Sequence, residues 1–116
     1  MTQQELVTLV VDALEERKAQ AISVIDVMGK TSVTDTMIIA SGTSSRQVAA
    51  IAQNVIECAK NKHLIPLGVE GSKAAEWVLV DLGDVVVHVM QRETREFYQL
   101  EKLWGTESVE RSGTQL

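Results

Sequence analysis

The sequence predicts a mixed α/β domain, a small sheet of about five strands carrying three helices. Three observations predict it. Two stretches of helical apolar spacing are each opened by a Ser/Thr-x-x-Glu/Gln box, Thr2 to Glu5 and Ser44 to Gln47. An uninterrupted run from Thr36 to Ala40 fits a strand buried on both faces and is too short for an ordinary helix. Two valine-rich segments flank Leu82-Gly83-Asp84 as a hairpin.

The elements follow in order. Leu6, Leu9, Val10, Ala13 and Leu14 form one stripe, with Asp12, Glu15 and Arg17 away from it, so a first helix runs to Lys18–Gln20. Ile22 to Met28 is a β-branched run, and Gly29 to Ser32 reads as a turn. The Thr36–Ala40 strand ends at Ser41-Gly42-Thr43. Val48, Ile51, Ala52, Val55, Ile56 and Ala59 give a second helix through about Lys62. Pro66 and Gly68 break the chain before a brief strand at Leu67–Glu70. Trp77–Leu82 and Val85–Met90 are the hairpin strands. Glu93 to Trp104 reads as a third helix, with Phe97, Leu100, Leu103 and Trp104 spaced by three and four and Gly105 as its stop. Phe97 and Trp104 are candidates for the core. Residues 1–105 are expected to be the domain and 106–116 a polar, flexible tail. This order lacks a regular βαβ repeat, which disfavours a doubly wound dinucleotide fold.

Composition narrows the function. The 116 residues carry 16 acids against 11 Lys and Arg, a net charge of −5, which argues against an autonomous nucleic-acid binder and suits a basic partner. A single cysteine, Cys58, permits no internal disulfide, and no basic leader precedes an apolar run, so a reducing, cytoplasmic setting without a membrane is expected. His63, His88 and Cys58 have no zinc spacing, and neither metal nor cofactor is expected. His88, inside a valine strand, reads as a hydrogen-bonded structural histidine. Ser44, beside Gly42, reads as a helix cap. Asp81 and Asp84 flank a turn and suggest only weakly the paired carboxylates of a magnesium-dependent nucleotidyltransferase. With Glu70 and Glu76 they leave four carboxylates against Lys73 in one strip.

The hairpin shows which face is bare. Val78, Val80 and Leu82 share one side with Val85, Val87 and Val89 and should meet the helices. Trp77, Leu79 and Asp81 share the other side, expected to be partly open, where an aromatic beside a carboxylate suits a protein contact. Periodicity alone leaves open the alternative that Trp77 fills the core's edge.

Four blocks in order carry a resemblance over about Glu5 to Trp104: Asp35 to Val48, Gly68 to Gly71, Trp77 to Val89, and Arg95 to Trp104. Together they resemble the ribosomal silencing factor, or Iojap, family. The resemblance implies a nucleotidyltransferase-like fold with no established transferase activity. It implies binding to the large ribosomal subunit through ribosomal protein L-fourteen, obstruction of small-subunit joining, and lowered translation in starvation or stationary phase. Relatives in organelles act on ribosome assembly or function. On this reading Trp77, Leu79 and Asp81, with Tyr98, Leu100 and Glu101 on the last helix and Lys73 and Glu76 before the strand, are the expected contact residues, Trp77 and Tyr98 being the apolar anchors. Contact with ribosomal RNA and pairing of two copies off the ribosome stay open. The competing readings are a ribosome-assembly factor and a nucleotidyltransferase or nucleotide binder using Ser44, Asp81 and Asp84.

Overall fold

The structure is a computed structural model, and it describes residues 1–29 and 34–99. Helix α1 spans Gln3–Glu16 and opens as expected. Glu5 N–H donates to Thr2 Oγ1 at 3.1 Å, and Thr2 N–H donates to the Glu5 carboxylate at 2.7 Å. The second bond holds the Glu5 carboxyl below its usual range. Leu6, Val10, Ala13 and Leu14 are buried, and the helix stops at Glu16, slightly short of the expected end.

Strand β1, Gln20–Asp26, starts before Ile22 because Gln20 already pairs with Ser41. Its register slips between Gln20 and Ser23, where Ala21 takes φ +51°. Strand β2, Thr36–Gly42, is buried along its whole length, as its uninterrupted apolar run requires. Helix α2, Ser45–Asn61, is capped by Ser44, whose Oγ accepts the Gln47 N–H at 3.1 Å. The second half of the expected box differs. Gln47 Oε1 takes the N–H and hydroxyl of Thr43, at 2.6 and 2.8 Å, and its amide faces the carbonyls of Arg17 and Lys18 at 3.4 Å each. A glutamine amide donates as well as accepts, so this one side chain ties the start of α2 to the end of α1.

Strands β3 (Gly68–Glu70), β4 (Trp77–Asp81) and β5 (Val85–Gln91) complete one five-stranded sheet of order β1-β2-β5-β4-β3. Only β2 and β5 run parallel; the other pairs are antiparallel. The main core lies between one sheet face and α1 and α2. There Val78, Val80, Leu82, Val85, Val87 and Val89 meet Val10, Leu14, Val48, Ile51 and Val55, the packing expected of the all-apolar side of the hairpin.

The opposite face is less bare than the sequence suggests. Its middle holds a second cluster, Ile25, Val27, Met37, Ile39 and Met90, with Trp77 packed at the margin. Helix α3, Arg92–Tyr98, crosses β5 and β2 on this side. It is shorter than expected, because Gln99 turns left-handed at φ +48° and its N–H bonds back to the Arg95 carbonyl. Leu100, Leu103, Trp104, Gly105 and the tail lie outside the described residues.

Candidate functional site

A tight loop delivers Trp77 to β4. Ala75 N–H bonds to the Gly71 carbonyl at 2.9 Å, and Gln91 N–H bonds to the Glu76 carbonyl at 2.9 Å, fixing the strand's entry against the end of β5. Trp77 then stands opposite Met90, Leu79 opposite His88 and Asp81 opposite Val86, so side chains 77, 79 and 81 share the second face of the sheet. All three are half-buried, while Val78 and Val80 between them are buried. The two readings of Trp77 meet in one side chain: part of it seals the second cluster and part is open.

The indole is held from two directions. Trp77 Nε1 donates to His88 Nδ1 at 2.9 Å. The Tyr98 ring lies 5.0 Å from the Trp77 ring, tilted at 49°, and Phe97 meets Tyr98 edge-on at 4.9 Å. Tyr98 and Phe97 are exposed, at 53% and 78%. This corrects the expectation that Phe97 belongs to the core. Phe97 lies on the outer side of α3, and the side chain that α3 buries is Arg95. Arg95 reaches under the helix to the Ala21 carbonyl (2.6 Å), Ser41 Oγ (2.9 Å) and Ser23 Oγ (3.1 Å). Arg92 adds a 2.6 Å bond to Gln20 Oε1. Guanidinium bonds to β1 and β2 thus hold α3 in place and seat Tyr98 on Trp77. Sequence reasoning missed this, since an arginine in a charged helix reads as solvated.

Burial pushes the His88 pKa down to about 4, so at neutral pH the ring is uncharged and its Nδ1 is a free acceptor for the indole. Because the folded-state value lies below the unfolded one, the unfolded chain binds the extra proton, and stability falls as pH drops from about 6.5 toward 4. Between pH 7 and 5 His88 is expected to remove about 2 kcal/mol. Urea titrations at both pH values check this against His88→Gln, which can accept the same bond without titrating. An equal pH effect in the variant would assign the loss elsewhere.

The remaining expected contact residues divide. Lys73 and Glu76 are exposed in the loop before β4, and Glu70, also exposed, pairs in register with Leu79. Leu100 and Glu101 fall outside the described residues.

The nucleotidyltransferase set does not converge. Asp84 sits at the entry of β2, its carbonyl accepting the N–H groups of Asp35 and Thr36. Ser44 follows the exit of that seven-residue strand, roughly 20 Å away at strand rise. Ser44 is occupied as a cap, and Asp81 Oδ1 accepts the Gly83 N–H at 2.9 Å in the hairpin turn. Among the described residues no three His, Cys, Asp or Glu side chains gather as metal ligands, and no helix is long and apolar enough to cross a membrane. Cys58 is half-buried on α2, its thiol pushed up by burial and by Glu16 and Glu57.

Comparison with known proteins agrees with this architecture. The model of a family described as "Ribosomal silencing factor during starvation" matches residues 1–115. The Haemophilus influenzae protein named ribosomal silencing factor RsfS is 50% identical over 100 residues, covering 86% of this chain and 98% of that one. A mouse protein named "Mitochondrial assembly of ribosomal large subunit protein 1" is 36% identical over 105 residues, 88% of this chain and 46% of its own length. A crystal structure from Chromobacterium violaceum, 45% identical, superposes with a TM-score of 0.89 over 90% of this chain and 88% of its own. By the family model and the half-identical relative together, the chain belongs to the ribosomal silencing factor family.

Proposed function

We propose that the chain acts by binding rather than by bond-making: it docks on the large ribosomal subunit through ribosomal protein L-fourteen and obstructs the incoming small subunit. The observation that carries this reading is the aromatic group on the second sheet face. Tyr98 packs between Trp77 and Phe97, the group is pinned from below by His88 and Arg95, and two of the three rings are largely open. Pre-ordered aromatics with an open face are what a protein–protein hot spot needs. Glu70, in register with Leu79, and Glu76, next to Trp77 in the chain, are exposed, suited to a basic partner. A standard contact buries about 800 Å² per side. Micromolar affinity, about −8 kcal/mol, is within reach of two such anchors and a few charge pairs.

Sedimentation of mixed ribosomal subunits is the direct test. Excess protein is expected to shift the joined particle into separate subunits, with the protein travelling in the large-subunit peak. Co-migration without any change in joining would favour the second reading, an assembly factor, which the name of the mouse relative suggests. Protein left at the top of the gradient would remove both readings.

A further inference from the structure

The acidic charge of this chain is not evenly spread. Three segments meet where the parallel strands β2 and β5 end. Arg17–Gln20 leads into β1, Gly42–Gln47 joins β2 to α2, and Gln91–Arg92 joins β5 to α3. Hydrogen bonds and strand pairing hold them together: the Gln47 amide on the Arg17 and Lys18 carbonyls, Gln20 paired with Ser41, Gly42 beside Gln91, and Arg92 on Gln20. These segments contain Arg17, Lys18, Arg46 and Arg92 and no carboxylate, in a chain with more acids than bases. All four cations are exposed, as are Thr43, Ser44 and Ser45 between them. The acids nearest in sequence, Glu15, Glu16 and Glu93, lie on the helices beyond. Glu16 is engaged by the Asn54 side chain at 2.9 Å. The same end of the sheet carries Trp77, paired with Met90 just before Gln91, so the cationic end borders the aromatic anchors. In open α/β sheets, ligands bind beyond the carboxyl ends of parallel strands, where successive connections leave to opposite faces. Here α2 leaves β2 toward the main core, and α3 leaves β5 toward the second face.

We propose that this end is a second contact surface, one that takes the phosphodiester backbone of a structured RNA while the aromatic and acidic face takes a basic protein. It deepens the function proposed above and rests on it for the identity of the RNA as ribosomal. Four cations are too few for autonomous nucleic-acid binding in a chain of net charge −5. Joined to a neighbouring protein contact they act at high effective concentration, and they orient the chain on a partner made of both materials.

The test uses the full chain and a triple variant, Arg17→Gln with Lys18→Gln and Arg46→Gln, which leaves the Arg92–Gln20 bond intact. A short RNA duplex, added at low salt to isotopically labelled protein, is expected to shift the amide resonances of Ala19, Gln20 and Thr43 to Arg46 selectively. The variant should need about tenfold more RNA, as fits the loss of three phosphate contacts. Against purified large subunits, the variant's plot of log affinity on log salt should be shallower by about 3. Duplex-induced shifts that are absent, or that fall elsewhere, would overturn the surface. So would an unchanged duplex affinity in the variant. Equal shifts from inorganic phosphate at matched phosphate concentration, or from phosphatidylglycerol vesicles, would overturn RNA as the occupant. If the duplex binds as expected while large subunits do not bind at all, the cationic end stands and the ribosomal function fails.

Discussion

Trp77→Ala is expected to weaken binding to the isolated ribosomal protein by about 2–4 kcal/mol, some thirty- to a thousandfold. The residue is the hub of its surroundings. It packs at the margin of the cluster formed by Ile25, Val27, Met37, Ile39 and Met90, donates to His88 Nδ1 and supports the Tyr98 ring. Truncation therefore also costs fold stability, about 2 kcal/mol for a half-buried ring. Two further variants separate these effects. Trp77→Phe keeps most of the packing and loses only the N–H. Tyr98→Ala removes an anchor that is 53% exposed and touches little of the core. Calorimetric titration with thermal melts in parallel gives both quantities. Wild-type affinity in a cooperatively folded Trp77→Ala protein would show that the contact lies elsewhere.

Gly71→Ala is expected to lower stability by about 3 kcal/mol or more and to weaken binding with it. Gly71 has φ +85°, a left-handed conformation that costs an L-residue roughly 1–2 kcal/mol. A Cβ there would also meet the carbonyl oxygen of Trp77, which is backbone in the β4 strand and has little freedom to move. Relieving the overlap means shifting the loop that sets the entry of Trp77, so chemical denaturation and partner affinity should change together. Gly68→Ala is the control, since a Cβ at Gly68 meets nothing within 4 Å. A Gly71→Ala protein as stable as the Gly68→Ala protein would show that the loop yields.

Legibility in the sequence follows how local each determinant is. The first helix start was readable because the capping box uses neighbours only, and β2 because a run buried on both faces needs no alternation. Alternation along β4 correctly separated Val78 and Val80 from Trp77, Leu79 and Asp81. The end of α3 was not readable. Its apolar spacing implied a core-facing stripe, but Arg95, bonded to Ala21, Ser23 and Ser41 on strands distant in sequence, decides which side faces the sheet. Periodicity assigns side chains by hydropathy and has no means of choosing a buried guanidinium over an exposed phenyl ring. Gln47 misled in the same way: its helical position is local, but its amide is claimed by α1. The suggested alignment of Ser44 with Asp81 and Asp84 failed because the connection through β2 sets them a strand length apart.

The parallel pairing of β2 with β5 joins Thr36–Gly42 to Val85–Gln91, across α2 and the two intervening strands. The stretch between them, residues 43–84 and more than a third of the chain, must therefore be ordered or looped out before the middle of the sheet closes, which places assembly toward the slower, high-contact-order end for a domain of this size. During synthesis β1, β2 and α2 are available first, and one edge of β2, which is buried along its whole length in the finished sheet, stays unzipped until β5 arrives. That interval is when the nascent protein is most exposed to edge-to-edge association, and a chain truncated before Val85 is expected to aggregate rather than fold.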